Sequence, residues 1–349
     1  MSSFSNPGPA LEAFLASVLQ APVRVTAARQ LTGGASRATW AVDFEVMSGP
    51  EAGRHPLVLR ADLGGTITDE ALSREQEFHV LEAAHCAGVL VPRPRWLCTD
   101  GSVLGVPFFL VDRVEGESVG RRVVREPNLA EARRLLPRQM GEQLALIHAI
   151  PPGTPELSFL PRPADESPAR AALEAAARQL ERLNEPHPAL ELALRWLRQN
   201  APDCDDLVLC HGDFRVGNLM VGTDGLRAVF DWEFAHLGDP AEDLAWPCVR
   251  SWRFGSDALR LGGVGQPDEF LDAYTQGSGR RGEELQARIA YWEVLGNFRW
   301  AVGCIQQAAR HLSGQAHSVE LASLGRRAAE MELELLDLIE RDIGFQSRG

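Results

Sequence analysis

The chain contains no lysine: all 35 of its basic residues are arginine. A phosphate-binding loop of the GxxxxGK[ST] kind is therefore excluded, and so is a Schiff-base lysine for pyridoxal phosphate. Any nucleotide phosphate has to be handled by arginine, backbone N–H groups and metal. Cysteine is sparse too. The six thiols (Cys86, Cys98, Cys204, Cys210, Cys248, Cys304) are scattered without a CxxC pair, which predicts reduced cysteines and neither a disulfide framework nor a zinc site. No apolar run approaches the roughly 18 residues that a membrane span requires. The opening MSSFSNPGPA has neither a basic n-region nor an apolar h-region, so a cytoplasmic protein is expected. Positive charge is in deficit, with 48 acidic residues and a net charge of −13. That opposes nucleic-acid binding, which needs cationic surface to release counterions. It permits a cationic ligand, but solubility explains it equally well.

What is present is ordinary globular material: 349 residues, 45% hydrophobic and 24% charged, enough for one large domain or two lobes around real cores. Residues 11–20 have helical spacing. Strand patterns follow in VRVTAARQL, ATWAVDFEV and PLVLRA, with the glycine-bearing turn LTGGASRA between the first two. A helix is expected at about 68–87, with Ser73 and Gln76 spaced as a capping box. PRWLCTD and VPFFLVDRV are further strands. Residues 1–115 thus read as a strand-rich lobe with one long helix, and 116–349 as a mainly helical lobe. Its helical runs lie near 129–149, 166–183, 189–199, 284–312 and 317–343, with a β island at about 207–232. The proline-rich 151–168 reads as a loop.

The densest chemistry is in HGDFRVGN, residues 211–218, followed by LMV, GTDG and LRAVFDWE. Two apolar runs around a turn ending in Asp-Gly predict a β-hairpin. A turn centred between Thr223 and Asp224 puts Asn218 opposite Val229, with Asp231 just beyond and Asp213 in the loop leading in. Carboxylate and amide oxygens suit Mg²⁺, and a further carboxylate can take a proton from an attacking hydroxyl. Base, metal ligands and positioning are the working parts of phosphoryl transfer. Asp, Asn and Gly also gather in turns for backbone reasons alone. The joint pattern of His211, Asp213, Asn218 and Asp231 around a hairpin is more specific than any one pair.

HGDFRVGN, together with VFDWEFAHLGDPAEDLAW, resembles the aminoglycoside phosphotransferase/choline kinase superfamily, from about residue 25 to at least 310. Within it the chain is similar to the branch that includes kinase-like domains fused to some acyl-CoA dehydrogenases. The resemblance implies an α+β, protein-kinase-like two-lobed fold, with a small antiparallel-sheet N-lobe and a larger helical C-lobe. It implies an ATP-dependent, Mg²⁺-dependent kinase that phosphorylates a small-molecule hydroxyl, with residues near 108–116 as the hinge. Asp213 would be the catalytic base, Asn218 and Asp231 the Mg²⁺ ligands, and His211 a brace for the loop. Arg215 would reach phosphate or substrate, or else pair with a neighbouring carboxylate. Gly33, Gly34 and Ser36 would cover the phosphates. Arg60 falls where kinases place a lysine, with Glu77 as its helix partner and Glu75 the alternative. Asp239 and Asp243 match positions that brace the catalytic loop.

Other residues invite promotion less. His148 lies on an apolar helix face and reads as a core histidine. Cys210 and His211 are neighbours on extended chain and point apart, which disfavours a Cys-His nucleophile. On the late helix, Trp292, Asn297, Arg299, Trp300 and Gln307 share the region where relatives build acceptor sites, although packing suits the tryptophans. A nucleotide-binding pseudokinase and a metal-dependent hydrolase are the alternatives. The intact Asp213, Asn218 and Asp231 argue against the first, and the absence of HExxH against the second. Aminoglycosides, choline, amino alcohols, sugars and hydroxyacyl thioesters all remain possible acceptors. Neither nucleic acid nor membrane is an expected partner, and the chain is expected as a monomer or homodimer.

Overall fold

The computed structural model describes residues 6–31, 38–61, 71–163, 167–183 and 185–346. Gly33, Gly34 and Ser36 lie outside them. The chain divides into two compact units. The first comprises Met1–Gly116 with Gly153–Phe159 and Arg227–Ala235, and the second comprises Glu117–Pro152, Leu160–Leu226 and His236–Gly349.

The first unit is an antiparallel sheet with a helix on each face. In chain order it contains α1 (Gly8–Leu19), β1 (Val23–Gln30), β2 (Ala38–Val46), β3 (Gly53–Ala61), α2 (Arg74–Cys86), β4 (Pro94–Cys98), the short α3 (Gly101–Leu104) and β5 (Phe108–Asp112). The strands lie in the order β1-β2-β3-β5-β4. Strand alternation decides which side chain goes where. Trp40, Val42 and Phe44 of β2 and Leu57 and Leu59 of β3 are buried in one cluster with Leu11 and Leu15 of α1. Each such side chain contributes about 1.5–3 kcal/mol on burial. Arg60 lies between Leu59 and Ala61 and so faces the opposite side, where Phe78 of α2 packs 5.8 Å from Phe109 of β5. β5 is apolar at both parities because both of its faces are covered: Phe108, Phe109, Leu110 and Val111 are all buried.

α2 begins later than its sequence pattern predicts. Ser73 is extended, its hydroxyl accepts from Gln76 N at 3.2 Å, and the Gln76 side chain accepts from Ser73 N at 2.9 Å. The capping box is present and starts the helix at Arg74, residues 71–73 before it being non-helical, while residues 68–70 of the expected helix lie outside the described residues.

The second unit contains α4 (Gly120–Arg125), α5 (Ala130–His148), α6 (Pro168–Glu181), α7 (Pro188–Asn200), β6 (Val208–Cys210), β7 (Leu219–Gly222), the start of β8 (Gly225–Val229), β9 (His236–Gly238), α8 (Pro240–Ala245), α9 (Pro267–Ser278), α10 (Gly282–Leu312), α11 (Val319–Leu324) and α12 (Arg327–Gln346). The expected run at 317–343 is two helices, because α11 ends at Leu324 and α12 starts at Arg327. β7 and β8 form the predicted two-stranded sheet, with Gly225 at φ +118° closing the turn, a conformation that favours glycine. Leu173, Leu190, Leu197, Phe298, Met331 and Leu335 belong to the main helical core. Beneath it, Arg253 pairs with Glu334 at 2.8 Å and Arg260 with Glu293 at 2.6 Å, tying the segment after α8 to α12 and α10. No helix among the described residues is long and apolar enough to cross a membrane.

α5 and α9 cross closely at Gly141. A Cβ there would collide with the carbonyl oxygen of Phe270 and stand 2.9 Å from Ala273 Cβ. Gly141→Ala is expected to destabilise the protein by about 1–3 kcal/mol through overpacking, although alanine is the better helix former. A thermal melt checks this; a variant as stable as the parent would show that the crossing relaxes without cost.

Candidate active site

β6 pairs antiparallel with β9, with Val208 opposite Gly238 and Cys210 opposite His236. The pairing brings the loop after β6, which carries His211–Asn218, beside α8, which starts just after β9. Asp239 caps α8, its Oδ1 accepting from Ala241 N at 2.9 Å. Asp243, one turn on, is fully buried. Its Oδ2 accepts from His211 N at 2.6 Å and its Oδ1 from Gly212 N at 3.0 Å. A charged carboxylate thus fixes two successive amides of the loop, at a point where Gly212 takes φ +78°. His148 Nε2 lies 3.3 Å from Asp243 Oδ2, and its Nδ1 lies 2.9 Å from the Tyr274 hydroxyl. His148 is a satisfied core histidine. His211 is buried, and its Nδ1 accepts from Asp213 N at 3.2 Å; its place is that of a brace.

Asp213 is the centre of this loop and is only 9% exposed. Asn218 Nδ2 donates to Asp213 Oδ2 at 2.6 Å and to the Asp213 backbone carbonyl at 2.9 Å. Arg215 Nε donates to Oδ1 at 2.9 Å, and Trp246 Nε1 donates to the same oxygen at 2.6 Å. Arg215 therefore makes the ion pair that its sequence neighbourhood allowed. It also stacks its guanidinium 4.4 Å from the Trp252 ring centroid, and it folds back so far that any side chain at Gly217 would meet it.

In the first unit, Arg60 NH1 is 3.3 Å from Glu77 Oε1, and NH2 donates to Asp231 Oδ1 at 2.6 Å. Glu77 is fully buried and also pairs with Arg74, whereas Glu75 is exposed. Of the two candidate partners, Glu77 is the one that meets Arg60. Burial alone would push the Arg60 guanidinium down, but Glu77 and Asp231 outweigh it and hold it above its ordinary value. Asp231 takes φ +72°, a left-handed conformation that costs a non-glycine residue about 1–3 kcal/mol. The flanking chain holds it there. Val229 N donates to Leu90 O at 2.7 Å, Leu72 N donates to Glu233 O at 2.7 Å, and Trp232 is fully buried. Strained backbone at a carboxylate is a mark of functional positions.

The remaining candidates are structural in this arrangement. Burial raises Asp239, whose Oδ2 accepts from Trp292 Nε1 at 3.0 Å. Glu242 resists its burial because His236 and Arg299 hold it down to about 2. Asn297 links Glu293 O to Arg250 N, and Trp300 packs 4.5 Å from Trp252. Gln307 accepts from Arg310. Burial pushes the Cys210 thiol well above its ordinary range, the reverse of an activated nucleophile. His148, Cys210 and Asp243 lie close enough together to hold a metal ion, but both oxygens of Asp243 already serve the loop amides.

Asn218 belongs to the second unit and Asp231 to the first. Two residues of importance escape the sequence pattern: Arg74, the second partner of Glu77, and Trp246. The only signal for Trp246 is its place at the end of the motif GDPAEDLAW.

A family model described as the phosphotransferase enzyme family matches residues 27–291. Among curated proteins, the chain is 28% identical to mouse acyl-CoA dehydrogenase family member 10 over 79% of its own length and 26% of the relative's. It is 29% identical to chicken acyl-CoA dehydrogenase family member 11 over 90% of its length and 41% of that protein. The chain therefore spans about a quarter to two fifths of these relatives. Among solved structures, one from Ralstonia eutropha, described as a candidate aminoglycoside phosphotransferase, superposes with a TM-score of 0.73. It is 24% identical, with 95% of this chain and 98% of that one covered. A macrolide 2'-phosphotransferase of type I gives a TM-score of 0.59 at 18% identity, over 91% of this chain and 95% of that one. At these identities the structural matches establish the fold.

Proposed function

The chain belongs to the phosphotransferase enzyme family, and on that premise we propose that it transfers the γ-phosphoryl group of ATP to a hydroxyl of a small molecule. The observation that carries the reading is Asp213: a carboxylate held by Asn218, Arg215 and Trp246, in a loop whose amides are fixed by the buried Asp243. Such a group is positioned to accept a proton from an incoming hydroxyl. The hydroxyl oxygen bonds to phosphorus, its proton passes to Asp213, and the bond from phosphorus to the nucleoside diphosphate breaks.

Asn218 and Asp231 are the residues that would hold Mg²⁺, and their chemistry fits it. Both supply hard oxygen donors, and the Asn218 amide nitrogen is committed to Asp213, which leaves its oxygen as the other end of the side chain. When bound, the ion would neutralise phosphate charge as it is transferred. Arg60, charged and fixed by Glu77, supplies the cation that a lysine supplies elsewhere, in a forked geometry that suits phosphate. A hydroxyacyl compound, an aminoglycoside or an amino alcohol is the proposed acceptor, and a cytoplasmic location is proposed.

ADP release from Mg-ATP over a pooled panel of these hydroxyl compounds tests the proposal. Acceptor-dependent ADP is the expected result. Failure of Mg-nucleotide to bind at all, read as an unchanged melting temperature, would overturn it.

A further inference from the structure

An ionised carboxylate offers about four lone-pair positions, two on each oxygen. Asp213 uses them unequally. Oδ1 receives both Arg215 Nε and Trp246 Nε1, while Oδ2 receives Asn218 Nδ2. Oδ1 is therefore filled, and one position remains on Oδ2.

We propose that Trp246 is a positioning residue for the base: with Arg215 it saturates Oδ1, so that Oδ2 is the atom that takes the acceptor's proton. The proposal rests on the reading of Asp213 as the base. The proton of the acceptor hydroxyl passes to Oδ2 as its oxygen bonds to phosphorus and the nucleoside diphosphate leaves.

The local structure makes this a built arrangement. Trp246 follows the last residue of α8 and is three positions beyond Asp243, which places both on one helical face. One short helix therefore sets the backbone of the catalytic loop through Asp243 and the rotamer of its carboxylate through Trp246. The ring is itself held, 5.6 Å from Trp252 and 5.9 Å beneath the Arg299 guanidinium. Arg299 is anchored in turn by Glu242 at 2.6 Å. An indole N–H is a donor only and carries no charge. It can therefore fix the carboxylate without becoming a second proton acceptor or a competing cation.

Trp246→Phe keeps the aromatic packing and removes the donor. Loss of one hydrogen bond to a charged group is expected to lower kcat about tenfold, with KM for nucleotide and acceptor changed less than about twofold. Trp246→His restores an N–H, because Nε2 of imidazole follows the same ring path from Cβ as the indole nitrogen, but imidazole can also take a proton, so it is expected to recover only part of the loss. The readout is ADP release from Mg-ATP, with water and with the hydroxyl panel as acceptors. A second readout needs no turnover. Trp246→Phe identifies one of the eight indole N–H resonances, and Asp213→Asn is expected to shift that resonance. Wild-type kcat in Trp246→Phe, a histidine variant no better than phenylalanine, or an unmoved resonance would overturn the proposal. If Asp213→Asn itself turns over like the parent, the base reading fails, and the proposal falls with it even where the resonance shifts.

Discussion

Asp213→Asn is expected to lower kcat for phosphoryl transfer by about 10²–10⁴-fold, the range that a positioned general base supplies. The substitution is close to isosteric. Its carbonyl oxygen can replace Oδ1 and still accept from Arg215 and Trp246, while its NH₂ end loses the bond from Asn218 Nδ2, which keeps its bond to the backbone carbonyl of residue 213. What is lost is the negative charge and the capacity to take a proton. Arg215 loses its ion-pair partner, so a small fall in melting temperature accompanies the loss, whereas KM for nucleotide is expected to stay within about twofold. The measurement is steady-state ADP release with parent and variant at equal nucleotide affinity. Retention of more than about a tenth of the parental kcat would remove Asp213 from the base role.

Asp243→Ala is expected to have the largest effect on stability. It orphans the amides of His211 and Gly212 and leaves His148 with Tyr274 alone. Each buried unsatisfied donor costs about 1–3 kcal/mol, so a loss of about 3–5 kcal/mol is expected. For a chain of this size that corresponds to a fall in melting temperature on the order of 10 °C. Activity falls with it, because the loop that carries Asp213 loses its fixed backbone. Asp243→Asn retains one accepting oxygen and is expected to fall between. Calorimetry on the two variants decides the matter: an alanine variant that melts with the parent would mean that the loop amides find water or another acceptor at no cost.

The strands and most of the helices were legible because their signals are local. Alternation in ATWAVDFEV and PLVLRA placed β2 and β3, and the Ser73–Gln76 capping box was present as read. Local signals also misled where two overlapped. The expected helix ran through residues 71–73, ahead of the cap that starts it at Arg74, and a run that looked continuous is interrupted by a turn at Gly325 and Arg326. The candidate site was legible as a set of residue types and less so as a set of contacts. Sequence reasoning left Glu77 and Glu75 as alternatives, and only helix phase resolved them: Glu77 lies on the buried face with Phe78 and Leu81, and Glu75 faces solvent. It also left Arg215 between substrate and carboxylate, and the geometry gives it Asp213.

The sequence alone determined what this protein can use for chemistry. Without lysine, its permanent cations are arginines, and its hard oxygen donors cluster in HGDFRVGN and FDWE. Those are properties of composition and short-range spacing, and they survive without any fold. Tertiary structure decided which oxygen of Asp213 each donor meets, that Asp243 spends its charge on backbone amides 31 and 32 residues away, and that Trp246 reaches the base from 33 positions along the chain. Such pairings depend on how β6 meets β9 and how α8 follows. No local pattern encodes a contact whose partners are brought together only by folding.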